Sequence, residues 1–329
     1  MSEIAGQLEV DNHDYHARSD DGASTSMLSN EPSPRVASIT AALVGLQKQR
    51  RFCIKSQQRG DRSTEAFIAT SLGYRNELSE ADRTALFKRA ATIRRSVEKG
   101  GRPTTDNQRR NAPDAGEEAT LVLATMAQMP PACVPIILHN AIARKAWDGL
   151  RNDTEKQMCK LARELPGYTW AKTVKGFGDL GFAIIIGETG ALSRYATKER
   201  VWKRLGLAVI DGERQQRARG AEQAAAHGYN PQRRAEVWSL ADSMFRHQWR
   251  GAKDGADAGP AGPFGVVYQL RRATTATREG WSAAHQKNDA VRVMFKAVVE
   301  GLWKAWNRDM HMDMAIATEN GYVCQGSAR

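Results

Sequence analysis

The chain has 329 residues, with 48 Lys and Arg against 37 Asp and Glu, a formal charge of +11, and a hydrophobic fraction of 41% that suffices for a sizeable core. Excess positive charge favours polyanionic partners. No run approaches the roughly 18 apolar residues of a membrane-spanning helix, and the first thirty or so residues lack the basic start and apolar stretch of a secretory signal, so no membrane partner and a cytoplasmic location are expected.

Residues 1–34 carry Glu3, Glu9, Asp11, Asp14, Asp20, Asp21 and Glu31 against Arg18 alone, and end in Pro32-Ser33-Pro34. Such a segment buries too little apolar surface to offset its ordering entropy and reads as a disordered acidic tail. Residues 35–103 read as a basic helical region. Ile39, Leu43 and Leu46 recur at helical spacing, and Ser79-Glu80-Ala81-Asp82 opens a run with Leu86, Ala90 and Ile93 on one face. Gly100-Gly101-Arg102-Pro103 breaks the helix, and Thr104 to Gly116 is a polar linker and the candidate domain boundary.

A second helical domain is expected over residues 117–310, followed by a tail at 311–329. Met129-Pro130-Pro131 and Pro135 interrupt it early. Ile136 to Arg163 is amphipathic with a turn expected near Asn152-Asp153, where Thr154 would cap a helix running to Glu164. Pro166-Gly167 ends that helix. Pro231 suits the first position of a later helix whose apolar face is Val237, Leu240, Ala241 and Met244. After a low-complexity loop, Gly251 to Pro263, helices are expected over Val266–His285 and Asp289–Arg308. Phe182 to Ile186 is continuously apolar and too short to decide strand from helix. The fold class is all-α. Cys53, Cys133, Cys159 and Cys324 form no CxxC pair, and no histidine pattern suggests a metal site, so reduced thiols and no metal are expected. His311, flanked by methionines, is an isolated imidazole.

The most informative stretch is Leu165-Pro166-Gly167 followed by Val174-Lys175-Gly176-Phe177-Gly178-Asp179-Leu180-Gly181 and the apolar run. A helix, an apolar residue, Gly-x-Gly and a second short helix is the layout of a helix-hairpin-helix, here placed near residues 154–207. Glycines serve the unusual dihedrals of such a turn, and amides at the start of the following helix can bind a phosphate oxygen. Lys172 and Lys175 flank the turn with positive charge. The candidate DNA-backbone contacts are Lys172, Lys175, Gly176, Phe177, Gly178, Asp179 and Gly181. The plain alternative is a tight interhelical turn without a ligand. Gly187-Glu188-Thr189-Gly190 ends the second helix, Ala196-Thr197 caps another, and Trp202, Leu205 and Leu207 close the unit with Gly206.

Further on, Arg214, Arg217, Arg219, Arg233 and Arg234 crowd around an expected loop. Arginine suits bidentate phosphate contact, which makes these five further candidates. Trp238, Phe245 and Trp249 lie among the charges, either as stacking platforms or, at helical spacing, as core.

The segment from about Leu165 to Ile210 resembles the C-terminal domain of transposases of the insertion-sequence 110/116/902 family. The matching residues are Val174-Lys175-Gly176-Phe177-Gly178, Ala183, Gly187-Glu188-Thr189-Gly190, Tyr195 and Leu205-Gly206-Leu207. The resemblance implies DNA transposition by strand cleavage and rejoining, with metal-binding carboxylates in an N-terminal RNase-H-like domain and a serine nucleophile in the C-terminal one. Asp11 and Asp14 instead sit in the polar tail, and aligning on Gly228 puts Ala225 where the serine is expected. Arg214 to Gly228 contains no Ser; alanine offers no nucleophile. Catalytic residues and cofactors are therefore unassigned. The expected function is a transposase-family DNA-binding protein acting in transposition or recombination; the alternative is a non-enzymatic helix-hairpin-helix accessory protein. Phosphate contacts alone do not separate RNA from DNA, no RNP pattern is present, and a homo-oligomer stays open. There is no G-x-S-x-G and no P-loop.

Overall fold

The computed structural model describes residues 31–99, 130–210, 212–216, 220–252 and 257–319. These residues form an all-α structure. The helices are α1 (Pro34–Ser71), α2 (Glu80–Lys99), α3 (Cys133–Ala162), α4 (Tyr168–Thr173), α5 (Gly178–Thr189), α6 (Lys198–Leu205), α7 (Ala221–His227), α8 (Pro231–Gln248), α9 (Pro263–Ala276) and α10 (Ala283–Glu319). Strand among the described residues is confined to two antiparallel pairs of two residues each, β1 (Val209–Ile210) with β2 (Glu213–Arg214), and β3 (Trp249–Arg250) with β4 (Gly259–Pro260). The second pair closes the base of the expected low-complexity loop.

Local chemistry explains several helix ends. Ser79 Oγ accepts the Asp82 amide at 3.1 Å at the start of α2, and Asn230 Oδ1 accepts the Arg233 amide at 2.9 Å at the start of α8, with Pro231 just inside. Pro135 sits in the first turn of α3, where its missing N–H has no intrahelical role, so it does not interrupt the helix.

Two helix boundaries fall differently from expectation. α3 runs through Asn152-Asp153 without a turn, and Thr154 is not an N-cap but a mid-helix residue whose Oγ1 donates to the Leu150 carbonyl at 2.7 Å. Thr154, Met158 and Ala162 form a buried stripe at i, i+4 and i+8 while Asn152 and Asp153 stay exposed. Burial of that stripe outweighs the modest helix cost of Asn and Asp. Conversely, the expected Val266–His285 helix is split: α9 ends at Ala276, Gly280 adopts φ 74, and Ser282 Oγ accepts the His285 amide at 3.2 Å at the start of α10. Phe182 to Ile186 proves helical, within α5.

The chain divides into two compact units, residues 1–47 with 157–329, and residues 48–156. α1 and α3 supply residues to both. The linker expected at Thr104 to Gly116 and most of the acidic tail lie outside the described residues.

In the larger unit the core is built on α5, whose Phe182, Ile185 and Ile186 are fully buried with Phe295, Leu302 and Trp306 of α10. Each such side chain contributes about 1.5–3 kcal/mol by burial. Gly187 permits α1 to pack closely on α5: a Cβ there would lie 2.6 Å from Gln47 Cβ and 3.2 Å from the Leu43 carbonyl oxygen. The smaller unit has its own core of Ile68, Ala69, Ala90, Ile93, Cys133 and Ile137. Beside it Arg94 pairs with Asp61, Glu65 and Glu98 at 3.2, 2.8 and 2.7 Å. Among the described residues no helix is long and apolar enough to cross a membrane.

Candidate nucleic-acid interface

The Gly-x-Gly segment forms the turn between α4 and α5. Val174 caps α4 by donating its amide to the Ala171 carbonyl, and the Phe177 amide donates to the Val174 carbonyl at 3.1 Å. Gly176 and Gly178 both lie in the left-handed region, at φ 81 and 62, which side chains with a Cβ adopt only under strain. The first-turn amides of α5 have no intrahelical acceptor. Lys172 and Lys175 flank them and are exposed.

The remaining candidates here divide by role. Gly178 is exposed, with open space where a Cβ would stand. Gly176 instead abuts α8: a Cβ would lie 2.8 Å from His247 Cβ. The Lys175 carbonyl accepts from Gln248 Nε2 at 2.8 Å, which fixes the turn on the end of α8. Phe177, 3% exposed, is core, and Gly181 is buried against Leu240 and Phe177. Both are packed in the interior. Asp179 accepts from Tyr168 Oη at 3.0 Å and from Arg163 at 2.8 Å. It favours the positive end of α5 and raises the Arg163 guanidinium above its ordinary value through the hydrogen bond and its charge.

The arginine candidates separate more sharply. Arg217 and Arg219 lie outside the described residues. Arg233, expected at a phosphate, is instead 9% exposed in the core. Its Nε donates to Glu188 Oε2 at 3.1 Å and its Nη1 to the Arg204 carbonyl at 3.2 Å, while Gln47 Nε2 donates to Glu188 Oε1 at 2.8 Å. This arginine ties α8 to α5 and α6, and Glu188 in turn joins α1 through Gln47. Its neighbour Arg234 turns the other way, over the Trp238 ring at 5.5 Å, with Nη1 donating to the Gly206 carbonyl at 2.9 Å. Trp238, Phe245 and Trp249 pack around the core, with Phe245 and Trp249 both against Tyr268 at 4.7 and 4.8 Å.

Arg214 leads to a group the sequence did not single out. Its Nη2 donates to Asp289 Oδ1 at 3.3 Å, and the same carboxylate accepts from Arg271 Nε and from Arg292 Nη2, each at 2.7 Å. Asp289 is 1% exposed. Burial alone would raise its carboxyl, but the hydrogen bonds from Arg292 and Arg271 hold it below the ordinary range. Burial and then the like charge of Arg292 lower both Arg214 and Arg234. Burial, again followed by Arg292, brings Lys296 down to about 8. Lys296 lies over the Trp202 ring at 4.0 Å. The i, i+3 pair Asp289 and Arg292 was the one sequence signal of this cluster, and an ordinary helical ion pair reads the same way.

No family model, no curated protein and no solved structure matches this chain.

Proposed function

We propose that the protein is a transposase-related DNA-binding protein acting in DNA transposition or recombination in the cytoplasm, which grips the phosphate backbone through the α4–α5 turn. The observation that carries this reading is the turn itself: two left-handed glycines, exposed Lys172 and Lys175, and the amide start of a buried helix. Fixed amides and flexible cations of this kind suit a phosphate of any sequence context. The order of motifs from Val174 to Leu207, which resembles the transposase domain, supplies the functional class. The absence of any serine from Arg214 to Gly228 supports a second reading, a binding protein without strand transfer of its own.

The test is binding to duplex, single-stranded and branched DNA over a salt series, for the wild type and K172A/K175A. Two lost phosphate contacts make the slope of log affinity against log salt shallower by about 1.8 on duplex DNA. An unchanged slope and affinity in a folded variant overturns the reading. A strand-cleavage assay on the wild type then separates the transposase from the accessory protein.

A further inference from the structure

We propose that Arg214, Arg234, Arg271 and Arg292 form a binding site for a phosphate group, separate from the α4–α5 turn and independent of the reading given to it. The first argument is charge. Three guanidiniums converge on the single carboxylate of Asp289, which leaves two positive charges uncompensated in that contact set. Arg234 donates to the Gly206 carbonyl at 2.9 Å, next to the Leu207 carbonyl that accepts from Arg292 Nη1 at 3.5 Å, and contacts no carboxylate among the described residues. Burying cations in excess of their counter-charges is costly, and an oxyanion removes that cost.

The second argument is an unmet donor. Arg292 has a side chain 7% exposed and an Nε that is buried without a hydrogen-bond partner among the described residues. Buried guanidinium donors are ordinarily satisfied. The third is access, because Arg214 is 40% exposed on β2 and Arg271 is 19% exposed on α9. A ligand can therefore reach the group from the side of the β1–β2 hairpin. Rigid guanidinium forks match a tetrahedral oxyanion, and Asp289 sets the rotamers of three of them beforehand.

The same chemistry could come from a DNA backbone phosphate or from free phosphate, and two arms distinguish them. Inorganic phosphate is titrated by calorimetry into the full chain at constant ionic strength, and duplex DNA is bound over a salt series. Both are repeated with R214Q, which leaves Asp289 its other two arginines, and with R214Q/R234Q. Phosphate binding that weakens at least tenfold in R214Q establishes a site for free phosphate. No response to phosphate, with a DNA salt slope shallower by about 0.9 in R214Q and about 1.8 in the double variant, assigns the site to the backbone. Folded R214Q that matches the wild type in both arms overturns the proposal, and it does so even if K172A/K175A abolishes DNA binding. Loss of DNA binding through K172A/K175A alone, with phosphate binding unchanged in R214Q, upholds the turn and removes this cluster; loss of DNA binding through R214Q alone does the reverse.

Discussion

Replacing Arg233 by methionine, which keeps the length of the side chain but removes the cation, separates a core arginine from a DNA contact. Arg233 Nε and Glu188 Oε2 are 3.1 Å apart, and the Glu188 side chain is 2% exposed. At an effective dielectric of about 20, two unit charges at that distance attract by about 5 kcal/mol before desolvation is counted. Measured losses on breaking a buried pair by removing one partner are about 3–5 kcal/mol, because the other charge stays buried. Against a total stability of about 5–15 kcal/mol, R233M should lose about a fifth or more of the unfolding free energy. Urea unfolding followed by circular dichroism at pH 7 measures it, with the melting temperature as a second readout. The double variant E188Q/R233M should be less damaged than R233M alone, since no buried carboxylate charge then stands without its arginine. If R233M stays within about 1 kcal/mol of the wild type and loses DNA affinity instead, Arg233 is a phosphate contact and the burial argument is wrong.

Other consequences are measured the same way. At the turn, G176A should cost more than G178A: both glycines have positive φ, but only at Gly176 would the new Cβ meet another side chain, 2.8 Å from His247 Cβ. A cost of about 1 kcal/mol for G178A and at least 2 for G176A is expected, and equal costs would contradict the packing. Lys296, held at about 8 against an ordinary 10.5, penalises the folded state below pH 8, and that penalty is relieved as pH rises toward 10.5. Stability should therefore climb between pH 8 and 10 by up to about 3 kcal/mol, with K296M abolishing the rise. Above about pH 10 the raised phenols of Tyr195 and Tyr268 work in the opposite direction. The depressed carboxyl of Asp289 contributes stability above its unfolded value near 3.9, which is lost as pH falls through its folded value. The wild type should thus lose stability below pH 4 more steeply than D289N, and parallel acid curves would contradict it.

Helix was legible in the sequence because periodic apolar residues mark it locally: Ile39 and Leu43, Ala90 and Ile93, and Val237, Ala241 and Met244 are buried as their spacing implies. Helix ends were legible where a cap is local, as at Ser79 and Asn230, and misleading at Thr154, where burial of Met158 and Ala162 carries the helix onward. The turn at Gly176 was visible, but its packing against His247 was not, because that contact joins residues far apart in the chain. Arg233 and Arg234 make the point most directly. They are adjacent and chemically identical, yet α8 turns one onto Glu188 and the other onto Trp238. The cluster on Asp289 draws on β2, α9 and α10, and its one linear signature, the Asp289 and Arg292 pair, reads as an ordinary helical ion pair.

A formal charge of +11 consequently says less about a ligand than its distribution does. Much of the positive charge is engaged in structure: Arg94 with three carboxylates, Arg233 with Glu188, and Arg50 with Glu155 at 2.8 Å. Cations matched by carboxylates in this way project little positive field beyond a Debye length of about 8 Å. Among the described residues, positive charge in excess of its contacting carboxylates stands around Asp289 and at Lys172 and Lys175. The stretch from Arg214 to Gly228 begins at the first of these places and holds no serine. On the proposed reading, cations there would hold a phosphate while the segment itself offers no serine to attack it.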